Sequence, residues 1–216
     1  MEIIAVLNQK GGAGKTTIAT HLSRALQSLG SDVVLVDSDP QGSARDWAAV
    51  DEDNPIVTVG IDRPTIARDA RKLAARYVVI DGAPQAQELA ASALTAADLV
   101  LIPVQPSPYD IWATADLVEL VKQRQMITDG KLRAYFVVSR AINGTTLGKE
   151  IREALEDYGL PVLETVVHQR QAYPKSAVRG STVLDDGTDA AAAAEIRALA
   201  AEVIAILEGA KEGVDA

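Results

Sequence analysis

Cysteine is absent from the 216 residues, which excludes disulfides, cysteine-held zinc and iron–sulfur clusters. Aromatic residues are scarce, 4% of the chain against 48% hydrophobic residues overall, so the core has to be assembled from Ala, Val, Leu and Ile. No uncharged apolar run approaches the roughly 20 residues that cross a bilayer, and the first residues do not read as a basic, apolar leader. Positive charge is in deficit: 21 Lys and Arg face 30 Asp and Glu, a net charge of −9. An acidic whole argues against tight attraction of nucleic acid by the entire surface and leaves room for a local basic patch. A soluble protein of a reducing cytoplasm is the expectation.

What is present is an alternation of short apolar runs with amphipathic stretches. Ile3–Leu7, Val33–Val36, Tyr77–Ile80, Leu99–Ile102, Tyr135–Val138 and Val162–Val166 read as strands, several of them apolar almost throughout, as strands covered on both faces are. Helical patterns fall over roughly 15–29, 63–76, 85–96, 109–126, 146–158 and 189–208. Gly30 and Gly159 follow two of them, where a left-handed helix end favours glycine. The alternation predicts an α/β fold: a mostly parallel twisted sheet with helices on both faces. It predicts a single domain over 1–208, with 209–216 as a frayed tail.

The chemistry sits where such sheets bind ligands, at the C-terminal ends of strands. Lys10-Gly11-Gly12-Ala13-Gly14-Lys15-Thr16-Thr17 joins the first strand to the first helix. A Gly-rich turn there leaves backbone N–H groups for phosphate oxygens, and the helix N-terminus adds positive potential. Lys15 is placed to reach outer phosphates and the Thr16 hydroxyl to ligate Mg²⁺. Gln9 stands where the ordinary spacing has glycine, and Lys10 is a second lysine. The stretch reads as a variant P-loop with two lysines, and the fold expected with it is that of P-loop nucleoside triphosphatases with a deviant loop. Asp37 and Asp39 end the second strand, two residues apart and so on one side of an extended chain, and Asp81 ends another. Acids at these positions either cap turns and helix starts or, facing a P-loop, hold Mg²⁺ through water and orient the attacking water. Pro103, Pro106 and Pro108 stiffen a third strand end, readable as a plain connection or as a rigid wall near the nucleotide or a dimer face.

Together these blocks resemble the ParA/MinD superfamily of deviant Walker ATPases, and within it the short ParA-type, ParF-like partition ATPases. The residues that carry the likeness are Lys10–Thr17, Val36–Gly42, Val79–Pro84 and Pro103–Asp110, with a weaker continuation through Gln169–Tyr173. The resemblance implies ATP and ADP as ligands with Mg²⁺, and a homodimer formed on ATP. It implies that Lys10 reaches the partner's phosphates while Lys15 serves its own. Gly11, Gly12, Ala13, Gly14 and Thr17 would complete the phosphate cradle. Thr16, Asp37 and Asp81 would form the metal shell, with Asp81 the Walker B acid, and Asp39 would address the water. Pro106, Ser107, Pro108 and Tyr109 would lie by the base and the dimer face. It further implies a centromere-binding partner of the ParB or ParG type, non-specific DNA, and a cytoplasmic, nucleoid-associated location. No operator-binding domain is expected ahead of the first strand, and the short acidic end is not the basic amphipathic membrane helix of MinD-like members.

Residues 168–181 hold Arg170, Lys175 and Arg179 without an acid and are the candidate DNA contact. Arg68, Arg71, Lys72 and Arg76 read as a solvated helical face. The leading functional expectation is plasmid or chromosome segregation. The alternative is a ParA-like ATPase that positions a protein cargo such as a carboxysome or chemoreceptor cluster. A phosphate-transferring metabolic enzyme related to dethiobiotin synthetase is the reading from another class, and Lys10 and the Asp39-Pro40-Gln41 run speak against it.

Overall fold

The computed structural model describes residues 1–84, 86–142 and 147–212. One parallel sheet of seven strands organises it, in the order β3-β2-β4-β1-β5-β6-β7. The strands are β1 (Glu2–Val6), β2 (Val33–Asp37), β3 (Val57–Gly60), β4 (Tyr77–Asp81), β5 (Leu99–Val104), β6 (Arg133–Ala141) and β7 (Val167–His168). The helices are α1 (Lys15–Ser28), α2 (Ser43–Ala49), α3 (Ile66–Asp69), α4 (Gln87–Ala96), α5 (Pro108–Trp112), α6 (Ala115–Ile127), α7 (Leu147–Glu156), α8 (Ala172–Ala177), α9 (Val183–Asp186) and α10 (Ala190–Glu212).

The inner strands alternate between two apolar cores. Ile3 and Ala5 of β1, Val78 and Ile80 of β4, and Val100, Ile102 and Val104 of β5 face one layer with Leu89, Leu94, Leu117 and Val121 of α4 and α6. Ile4 and Val6, Tyr77 and Val79, and Leu99 and Leu101 face the other, with Ile18, Leu22 and Leu26 of α1 and Ile196, Leu199 and Val203 of α10. A period of two with both phases apolar is what a sheet covered on both faces demands. β1 is central, flanked by β4 and β5, so the loop after it opens where the ends of β2, β4 and β5 gather. Gly30 and Gly159 take the expected left-handed conformation, at φ 85° and 75°.

Four expectations differ from the structure for visible reasons. Val162–Val166 contributes a bridge from Val162 to Phe136, and the strand proper is Val167–His168. Side chains satisfy this backbone instead: Arg152 donates to the carbonyls of Val162 and Leu163, and the Glu202 carboxylate accepts the N–H groups of Glu164 and Thr165. The 109–126 pattern is two helices, divided at Thr114, whose buried hydroxyl donates to the Ile111 carbonyl at 2.6 Å. The 63–76 pattern shrinks to α3 plus one 3₁₀ turn, Ala70–Lys72. Helix α10 runs past 208 to Glu212, and residues 213–216 of the expected tail lie outside the described residues.

Candidate active site

The loop after β1 turns into α1 through Gly12 and Gly14, at φ 77° and 93°, a region a side-chain-bearing residue rarely enters. Its carbonyls are tied down from outside. The Lys10 carbonyl accepts from Lys15 Nζ at 3.0 Å, Gly12 O accepts from Gln105 Nε2 and Arg140 Nη1, each at 2.8 Å, and Ala13 O accepts from Ser139 Oγ at 2.8 Å. Asn8, ahead of the loop, accepts from the Lys10 N–H and donates to Pro103 O. These contacts join the ends of β1, β5 and β6 around one turn.

A cleft of about 1010 Å³ opens over this turn. Gly11, Gly12, Gly14, Lys15, Thr16 and Thr17 line its floor and Asp39 one side. Burial pushes the Lys15 ammonium below its ordinary value, opposed by the nearby Asp81 and Asp39 charges. Thr16 Oγ1 donates to Asp81 Oδ2 at 2.7 Å. Burial raises the Asp81 carboxyl to about 7, with Thr16 and Lys15 pulling it down and Asp37 and Asp39 pushing it up. Its second oxygen, Oδ1, is buried without a hydrogen-bond partner. An orphaned carboxylate oxygen beside a threonine hydroxyl at a phosphate cradle fits a small divalent cation. Among the described residues no three His, Cys, Asp or Glu side chains converge on a metal position, so such an ion depends on nucleotide phosphates and water for its remaining ligands.

The two acids after β2 part company. Asp39 lines the cleft, with Oδ1 accepting from Gln41 N. Asp37 is fully buried and turned onto the start of α2, its Oδ2 accepting from Ala44 N and Arg45 N and its Oδ1 from Asp39 N. The strand stops at Asp37, so the same-side geometry of an extended chain does not apply. Asp37, expected in the metal shell, braces the loop that carries Asp39.

Lys10 lies outside the cleft lining. Its Nζ pairs with Asp110 Oδ2 at 2.7 Å; the lysine side chain is 39% exposed and the aspartate 6%. Pro106, Ser107, Pro108 and Tyr109, expected by the base and the dimer face, also fall outside this lining. They start α5, which delivers Asp110 to Lys10 and leaves Tyr109 and Trp112 exposed, edge to face with ring centroids 5.4 Å apart. The far wall of the cleft is built instead by residues from Ser139 to Ile142 and from Val167 to Ala177.

That wall also relocates Arg170. Its guanidinium lies on Glu195 of α10 at 2.5 Å and beside Asp189 at 3.7 Å, and His168 and Tyr173 share the same Glu195 carboxylate. With its charge matched by two acids and its side chain 18% exposed, Arg170 lies in the cleft wall. Lys175 and Arg179 are exposed, one on α8 and one just beyond it. Ser139, Gln105 and the role of Arg140 escaped the sequence reading. The available signal was position: Ser139-Arg140 directly follows the apolar run 135–138, at a strand's C-terminal end.

The chain matches the family described as the CobQ/CobB/MinD/ParA nucleotide binding domain over residues 4–183. It is 33% identical over 208 residues to the maintenance of carboxysome distribution protein A of Halothiobacillus neapolitanus, covering 93% of this chain and 95% of that protein. It is 28% identical to the chromosome-partitioning ATPase Soj of Thermus thermophilus, over 94% of this chain and 95% of that one. Among solved structures it is similar to the cell division ATPase MinD of Pyrococcus furiosus, at a TM-score of 0.74 and 20% identity over 95% of this chain and 99% of that chain. Apo McdA of Cyanothece gives 0.75 and 16% over 94% and 99%. These two share the fold. The chain belongs to the CobQ/CobB/MinD/ParA nucleotide-binding domain family, as an ATPase of the ParA/MinD type.

Proposed function

We propose that this chain binds ATP with Mg²⁺ in the cleft, dimerises on ATP, and uses hydrolysis to partition or position a cargo. The observation that carries the reading is the division between the two loop lysines. Lys15 lines the cleft, whereas Lys10, five residues earlier, stands outside it and half-exposed. A lysine excluded from its own cleft is suited to a partner's. In the proposed site the loop N–H groups and Lys15 bind the phosphates, Thr16 and Asp81 hold Mg²⁺, and Asp39 orients the attacking water. Bound Mg²⁺ supplies charge neutralisation on the phosphates. Asp37 acts by fixing the Asp39 loop.

The cargo has two readings. The relative named as a chromosome-partitioning ATPase, Soj, supports DNA segregation, and with that reading go a ParB- or ParG-type partner and a place on the nucleoid. The two carboxysome-distribution relatives, 33% and 32% identical, support a protein cargo. Loss of the chain from its host, with plasmid retention and the spacing of protein assemblies scored in the same cells, separates the two. The chemistry is tested by phosphate release from ATP with Mg²⁺ and no small-molecule acceptor. Asp81→Asn is expected to lower it at least a hundredfold, on the order of removing one strong transition-state contact, with the melting temperature of the nucleotide-free chain kept. Turnover that persists in Asp81→Asn, or that requires a small acceptor, contradicts the reading.

A further inference from the structure

Strand β6 carries one residue too many. Ala134, Phe136 and Val138 face one core, while Tyr135 and Val137 face the other. Continued alternation would send residue 140 to the first face and 141 to the second. Instead Ala141 packs in the first core. Pairing with β7 slips at the same place: Ser139 lies opposite Val167 and Ala141 opposite His168. Arg140 is therefore an inserted, bulged residue, and its φ of 54° is left-handed without a glycine to ease it. Strain of this kind persists where the surroundings impose it and clusters at functional sites.

The bulge lets two consecutive side chains reach the same loop. Ser139 Oγ bonds Ala13 O and Arg140 Nη1 bonds Gly12 O, each at 2.8 Å. In a planar trans peptide the N–H points opposite to the C=O. Holding Gly12 O thus aims the Ala13 N–H, and holding Ala13 O aims the Gly14 N–H. The loop needs this help, because Gly12 and Gly14 place few limits on their own torsions. Gln105 supplies a second donor to Gly12 O from β5's end.

We propose that Ser139 and Arg140 are positioning residues for nucleotide phosphate: the β6 bulge clamps the loop carbonyls so that the Ala13 and Gly14 N–H groups are presented to the ligand. Arg140 acts on the loop through Gly12 O, redundantly with Gln105. The inference rests on ATP occupying the cleft, which wild-type binding reports before any variant is compared.

The test is calorimetric titration with Mg²⁺-ATP of Arg140→Gly, Gln105→Ala, the double variant and Ser139→Ala, each with its nucleotide-free melting temperature. Glycine accepts the left-handed backbone, so Arg140→Gly removes the guanidinium and leaves the bulge. Each single change is expected to weaken ATP binding about threefold, and the double change by roughly thirtyfold or more, beyond the product of the singles because both donors serve one carbonyl. Melting temperatures stay near wild type. A double-variant loss equal to or below the product of the singles, or losses that track melting temperature, would overturn the clamp. Wild type failing to bind ATP removes the underlying site reading instead.

Discussion

At the scale of single residues, burial decides what each polar group does. Asp37 and Asp81 are both buried acids at strand ends, separated by partners: three backbone N–H groups occupy Asp37, whereas Asp81 keeps one oxygen unpartnered beside Thr16. One is bound into the fold, and the other keeps an unsatisfied oxygen, which is what the proposed Mg²⁺ role asks of it. His21 shows burial acting on stability. It lies inside α1, bonded through Nδ1 to Thr17 O at 2.8 Å and edge-on to Tyr173 of α8, with Nε2 buried and unpartnered. Burial lowers it to about 4, against the opposing hydrogen bond to Thr17 and the Asp185 charge. The folded chain thus holds His21 neutral while the unfolded chain takes up a proton near pH 6.5, so stability is full above that pH and falls as pH drops toward 4. The loss is about 3 kcal/mol at most across this window. Denaturant titrations at pH 7 and pH 4.5 should show it, and His21→Gln should flatten the difference between the two pH values. An equal slope in both proteins would assign the loss to carboxylates instead.

At the scale of elements, the site depends on how tightly strand ends approach. A Cβ on Gly82, directly after Asp81, would meet Val6 O at 2.8 Å and Leu7 Cδ2 at 2.5 Å. Leu7 could turn aside; the β1 carbonyl could not without parting β1 from β4. Gly82→Ala is expected to cost about 1–3 kcal/mol and to weaken nucleotide binding, since the same shift moves Asp81 from Thr16. Thermal melting and ATP titration check it, and an unchanged melting temperature would show that the end of β4 has slack. The inner strands were legible in the sequence because two apolar faces leave an almost continuous run. The edges were not. β3 is a four-residue strand with Val57 61% exposed, α2 is braced by the distant-looking Asp37, and 162–166 has its ladder groups taken by Arg152 and Glu202. The place of the phosphate loop between β1 and α1, and of Asp81 at the end of β4, was legible because each directly follows an apolar run. The cleft's far wall was not: it depends on a bulge in β6 and on Glu195 of α10 gathering His168, Arg170 and Tyr173, contacts across 22–27 residues of chain.

At the scale of the molecule, charge and assembly meet. A chain of net charge −9 needs positive charge gathered locally to hold DNA. Within 168–181 Arg170 is paired with Glu195 and Asp189, while Lys175 and Arg179 lie exposed, four residues apart, at a helix whose Pro174 and Ala177 line the cleft. Changing both to Glu should weaken ATP-dependent DNA retention in a mobility-shift assay and reduce its salt dependence, while ATP hydrolysis without DNA stays within about twofold of wild type; unchanged retention would place the DNA surface elsewhere. Dimerisation would double that patch and bring each exposed Lys10 to a partner, at the cost of its pairing with Asp110. The most direct measurement is sedimentation of wild type and Lys10→Ala with Mg²⁺-ATP and with ADP. The account predicts a wild-type dimer on ATP, monomers on ADP, and loss or marked weakening of the ATP dimer in Lys10→Ala. A dimer equally populated on both nucleotides and untouched by Lys10→Ala would contradict it.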